Sequence, residues 1–166
     1  YTTVRLVVEL QNGATNLYSI AGTEAQAMIF PPAWHKPVPF GTHVGGVDAA
    51  FFPVAPDAEF DSWLTVGVTN GAQPVPSSIG IDFDSWDETT GIETTNGAIF
   101  WMDPSGGPAA GAPIVVAQLT MPTGTLFTAK MLMQGRSAEG EEDWDELHVE
   151  FSTVPTEAST GNPSCD

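Results

Sequence analysis

The chain reads as all-β, an antiparallel β-sandwich of the jelly-roll or immunoglobulin-like kind, and three observations carry that reading. Apolar and polar residues alternate in short runs along most of its length. Turn-forming Gly, Pro and Asn-Gly pairs break these runs about every 8–15 residues. Helix signals are confined to one stretch, residues 86–93, and that stretch carries Thr-Thr-Gly. About 8–10 strands and a long Pro/Gly-rich ordered loop are expected, with a closed barrel as second choice.

The runs come in order. Val4, Leu6, Val8 and Leu10 alternate with Arg5, Val7 and Glu9, which is strand periodicity. Asn12-Gly13 is a hairpin-type turn signal, and Leu17–Ile20 reads as the returning strand. From Ala27 to Phe60 the character changes. Six prolines in that span (Pro31, Pro32, Pro37, Pro39, Pro53, Pro56) remove ladder donors and fix φ, so no long central strand or helix fits. Its aromatic side chains argue for order, as a loop with short strand pieces across one end or edge of the sheets.

The cleanest strand patterns follow. Leu64, Val66 and Val68 share one face; Ile79, Ile81 and Phe83 share another, which would put Asp82 and Asp84 together on the outward side. Ala98–Met102 is apolar on both faces. Val115–Met121 and Phe127–Met133 alternate on either side of the turn Pro122-Thr123-Gly124. Leu147, Val149 and Phe151 face inward from the last strand, after the acidic loop SAEGEEDWDE. Residues 1–154 thus form one module, and residues 155–166, rich in Pro, Ser and Thr, read as a tail or interdomain linker.

Charge narrows the partners. There are 21 acidic and 4 basic residues, a formal net charge of −17. Such a surface repels nucleic acid and anionic membranes and attracts divalent cations. No apolar run approaches the roughly 18 residues of a spanning helix, so membrane insertion is not expected. The chain opens on Tyr1 in a strand pattern, which reads as a mature secreted protein or a piece of a longer one. Cys165, the single cysteine, is the candidate for an intermolecular disulfide, with an idle thiol as the alternative.

Motif-bearing chemistry is not supported. The chain holds no G-x-S-x-G, phosphate loop, C-x-x-C or H-E-x-x-H. His35, His43 and His148 have no metal-ligand spacing and read as loop or surface histidines. Carboxylates are the candidates for calcium: Asp82, Asp84 and Asp103, and in the acidic loop Glu142, Asp143 and Asp145, weighed against a merely solvated acidic surface. Carboxylate pairs of a glycosidase kind arise by accident on any acidic sandwich and carry little. Trp34 and Trp144 are the candidates for sugar stacking, with Trp144 expected to be exposed. Trp63, Trp86 and Trp101 adjoin apolar runs and are assigned to packing. The tetrapeptide FDSW occurs twice, at Phe60–Trp63 and Phe83–Trp86. Its Asp and Ser are expected to make local turn hydrogen bonds while Phe and Trp pack. Ser/Thr/Pro-rich stretches offer O-glycosylation, and no N-x-S/T acceptor occurs.

The pieces GATNLYSIAG, MIFPPAW, PFGTHVGG, FDSWLTVGVT, IGIDFDSW, NGAIFWMDP and VVAQLT, ending in QGRS and EEDWDE, lie within residues 4 to 152. Across them the chain resembles uncharacterised secreted β-sandwich modules of extracellular proteins of algae and other aquatic protists. The resemblance implies an extracellular coat, fibre or surface-appendage component and carries over no catalytic residue. The expected function is therefore a non-enzymatic extracellular module, assembling with copies of itself or sibling modules into a filament or surface layer. It requires no cofactor beyond calcium as a candidate. The assembly strand would be Thr2, Val4, Leu6, Val8 and Leu10, completing a neighbour's sheet. A carbohydrate-binding jelly-roll module is the alternative.

Overall fold

The computed structural model describes residues 1–138 and 142–155. Ten strands are formed: β1 Thr2–Val8, β2 Ser19–Ala21, β3 Met28–Phe30, β4 Trp63–Leu64, β5 Ser77–Ile79, β6 Ile92–Thr94, β7 Ala98–Phe100, β8 Ile114–Met121, β9 Thr128–Gly135 and β10 Trp144–Ser152. They build two antiparallel sheets, a small one in the order β1-β8-β4 and a large one centred on β9. In the large sheet β10 covers one side of β9, and β2 and β3 pair with the other. β2 and β3 form one interrupted row; β7 and β6 form the next row out, and β5 adds to β7. This is the β-sandwich expected from the alternation.

One apolar core fills the space between the sheets. Leu6, Leu64, Val116 and Leu119 enter it from the small sheet; Ile20, Phe30, Ile99 and Met131 enter from the large one. The alternation in β1 explains its placement: Leu6 is buried while Arg5 and Val7 face out. β8 is buried on nearly every residue because its second face is covered as well. That cover is the proline-rich segment. Across the small sheet Arg5, Gln118 and Trp63 lie in one row. The Gln118 amide donates to the carbonyls of Glu59 and Asp61 at 3.1 and 2.8 Å, tying the segment down. Val47, Ala55 and Ala58 form a second small apolar cluster there.

Two local readings change. Asn12 and Gly13 do turn with positive φ (55° and 86°), as the sequence signals. The flanking strands do not pair with each other, however: β1 joins β8 in the small sheet and β2 joins β7 and β9 in the large one. The turn therefore crosses between layers. The strand expected through Ile81 and Phe83 stops at Ile79, so Asp82 and Asp84 do not share a strand face; Asp82 accepts from Ser85 in a turn. No helix forms over 86–93. The Asp87 carboxylate accepts from the Thr89 and Thr90 amides at 2.7 and 2.8 Å, the local competition by which Asp diverts a backbone from helix. The segment 27–60 holds short strand β3 as expected, and also two 3-10 helices, Ala49–Phe51 and Pro56–Phe60.

Candidate functional site

Where the proline segment crosses the small sheet it leaves a cleft of about 630 Å³, lined by Tyr1, Thr3, Trp34, Asp57, Phe60, Glu88 and Thr120. That volume lies within the roughly 300–1,000 Å³ usual for small-molecule sites. Each wall has a local cause. Trp34 is held from both sides of its backbone: its N–H donates to the Thr120 carbonyl at 2.8 Å, and its carbonyl accepts from the Ser62 hydroxyl at 2.6 Å. Phe60 ends the 3-10 helix, and its carbonyl accepts from the Thr120 hydroxyl. Thr3 and Thr120 hydroxyls share a 2.7 Å hydrogen bond along the β1–β8 pair. Tyr1 donates its phenol O–H to the Glu88 carboxylate, which raises the phenol pKa.

The aromatic faces are available to a ligand. Tyr1 is 69% exposed, Phe60 is 48% exposed, and Trp34 is half-buried. Of the two carboxylates, Asp57 pairs with the Lys36 ammonium at 2.7 Å, and that hydrogen bond holds its pKa below the usual range. Glu88 has only the neutral Tyr1 hydroxyl as its side-chain partner among the described residues. A second depression of about 680 Å³ lies between β6 and the 82–90 turn, lined by Pro31, Pro32, Thr89, Thr90 and Glu93 among others. It presents hydroxyls and carboxylates but no exposed aromatic face.

Next along the chain from the cleft residues Trp34 and Phe60 stand the half-buried His35 and the buried Asp61, with the half-buried His43 beside His35. His35 and His43 are in edge contact, with ring centroids 5.1 Å apart. His35 also packs on Trp86 at 4.3 Å, and His43 stacks on Phe83 at 5.1 Å. Both ring nitrogens of His35 and Nδ1 of His43 are buried without a hydrogen-bond partner. Burial, and then the neighbouring His43, lower the His35 pKa to about 4; burial also lowers that of His43. Asp61 is fully buried, and burial pushes it up to about 6 although its oxygens accept the Lys36 and Thr42 amides. With His35 uncharged near neutral pH, the 3.8 Å approach of its Nδ1 to Asp61 is not an ion pair. His35 and His43 lie in the proline loop, as expected, but the loop turns inward at Trp34-His35 and packs their half-buried rings on Trp86 and Phe83. No sequence spacing announces that.

The other sequence candidates are dispersed. Asp103 caps the 3-10 helix Pro104–Gly106 by accepting from the Ser105 amide at 2.9 Å. Asp143 pairs with Arg136 at 3.1 Å and accepts from the Tyr18 hydroxyl at 3.2 Å. Asp84, Glu142 and Asp145 are exposed. Among the described residues no three His, Cys, Asp or Glu side chains form a group that could hold a metal ion. Trp144 is not the exposed platform expected: it is half-buried, packs against the core, and donates its indole N–H to the Asn16 carbonyl at 3.2 Å. Trp63 and Trp86 are buried as expected, and Trp101 is half-buried with its indole N–H on the Val66 carbonyl. Thr2, Val4, Leu6 and Val8 lie in β1 and Leu10 beyond its end. Cys165 falls outside the described residues.

The two FDSW copies do different work. Ser85 bonds locally to Asp82, as expected of a turn. Asp61 and Ser62 instead reach across the chain to Lys36, Thr42, Trp34 and Thr120. They are what position the cleft. Comparison with protein-family models, curated proteins and solved structures finds no match to this chain.

Proposed function

We propose that the chain is an extracellular carbohydrate-binding module, with the ligand lying in the cleft over Trp34. The observation that carries this is the convergence of three aromatic side chains, Tyr1, Trp34 and Phe60, on one cleft whose floor bears the Thr3 and Thr120 hydroxyls. Aromatic faces bury the apolar faces of sugar rings, while hydroxyls and carboxylates fix the ring hydroxyls. For hydrolysis a general acid needs a raised pKa, and of the two cleft carboxylates Asp57 is held down by Lys36. Titration calorimetry against a panel of oligosaccharides is the test. Trp34→Ala should weaken binding by about tenfold or more, about 1.4 kcal/mol; unchanged affinity would overturn the assignment of the cleft.

A second reading has its own observation. Among the described residues β1 is an edge strand of the small sheet, paired only with β8. Donating it to a neighbour would break its whole register with Thr120, Leu119 and the rest of β8, so simple exchange is disfavoured. Addition of a second copy, or of a sibling module, along the open outer edge of β1 is the form of assembly compatible with this fold.

A further inference from the structure

We infer that the cleft selects amine-bearing saccharides, such as oligomers of deacetylated amino sugars, over neutral and anionic ones; this rests on the carbohydrate-binding reading above. Two independent features support it, one general and one local.

The general feature is that none of the four basic side chains lines the cleft. Lys36 is held by Asp57, Lys130 by Glu150 and Arg136 by Asp143. Arg5 lies over the Trp63 ring at 5.6 Å and donates to the Gln118 side chain at 2.9 Å. A sulfated or uronic saccharide in the cleft would meet a net charge of −17 with no lysine or arginine among the lining residues to receive it. Anionic glycans are thereby disfavoured twice, by the field and by the lack of a contact.

The local feature is what the cleft offers an ammonium group. The Glu88 carboxylate has the Tyr1 hydroxyl as its side-chain partner and no ion-pair partner among the described residues. Tyr1, Trp34 and Phe60 line the same cleft, so a cation there gains ring-face attraction as well as the carboxylate. A neutral sugar would use the rings but leave the Glu88 charge without a countercharge. An N-acetylated amino sugar would do the same, since acetylation removes the charge.

The experiment compares glucosamine oligomers with N-acetylglucosamine oligomers, neutral β-glucan oligomers and a sulfated oligosaccharide of similar length, by calorimetry at pH 6 and low salt. The expected result is affinity for the glucosamine oligomer at least about tenfold above the others, falling as salt is raised. Glu88→Gln should abolish the preference, bringing affinity for the glucosamine oligomer down to that for the neutral oligomers. Equal or tighter binding of the acetylated or neutral oligomers would overturn the amine inference and leave the carbohydrate reading standing. An amine preference that survives undiminished in both Glu88→Gln and Trp34→Ala would reveal attraction to the acidic surface at large, and would also overturn it. Failure of every oligosaccharide to bind would remove the carbohydrate reading itself.

Discussion

His35 shows how far one residue's chemistry depends on its surroundings. Its imidazole is enclosed by His43 and Trp86, with Asp61 within 3.8 Å, and Asp87 is the further charge that acts on it. The folded pKa of about 4 lies below the unfolded value of 6.5, so the unfolded chain takes up this proton first. His35 therefore contributes stability above pH 6.5 that is lost as pH falls towards 4. His43, also lowered and facing Asp84, acts in the same direction. Asp61 acts oppositely: with a folded pKa of about 6 against 3.8 unfolded, its contribution is present in acid and lost as pH rises through 6. His35 and Asp61 largely offset each other, and His43 tips the balance towards acid lability. His35→Leu should remove one acid-destabilising group and leave Asp61, so the fall in Tm between pH 7 and pH 4.5 should be smaller than in the unsubstituted protein. Equal falls would show that this imidazole is not the responsible group.

At the scale of elements, the contact between β9 and β10 is built on an absence of side chain. Gly135, paired with Trp144 across the two strands, has no room for a Cβ. That atom would collide with the Asn16 carbonyl oxygen and approach the Trp144 ring to 2.5 Å. The Asn16 carbonyl is also the acceptor for the Trp144 indole N–H, and the Asn16 side chain accepts from the Arg136 amide at 2.8 Å. Gly135→Ala should therefore destabilise the fold by about 1–3 kcal/mol through overpacking, with Trp144 fluorescence shifting to the red as the ring is displaced outward. Chemical denaturation checks the first outcome and emission spectra the second. β1 makes the complementary point. Its alternation was plain in the sequence, yet which strand it would pair with was not, because a period-two pattern specifies a face and not a neighbour.

At the scale of the whole molecule, the charge governs association. With 21 acidic against 4 basic residues, copies brought together along the open β1 edge would repel unless the charge is screened or bridged. Assembly by this route should thus strengthen with calcium or raised ionic strength and weaken with chelator or dilution of salt. Light scattering across a salt and calcium series, with negative-stain images of the same samples, reads this out. Dispersed particles under all conditions would remove the assembly reading and leave the cleft as the functional feature.

The sequence alone determined the class of fold and most of the strands. Alternation at Val4–Val8, Val115–Met121 and Phe127–Met133 follows from one buried face per strand, and that is a local property of side chains. The burial of Trp63 and Trp86 and the order of the proline segment were legible for the same reason, from their apolar surroundings. The site was legible only in Trp34. Tyr1, Thr3, Asp57, Phe60, Glu88 and Thr120 join it from four separate places in the chain, and no spacing connects them. The tertiary structure alone decided that meeting, the burial of His35 with Asp61, and the crossing of the Asn12-Gly13 turn between layers. Each depends on which surfaces pack against which, a choice made by shape and by long-range hydrogen bonds such as those of Gln118 and Ser62, and not by any one segment's pattern.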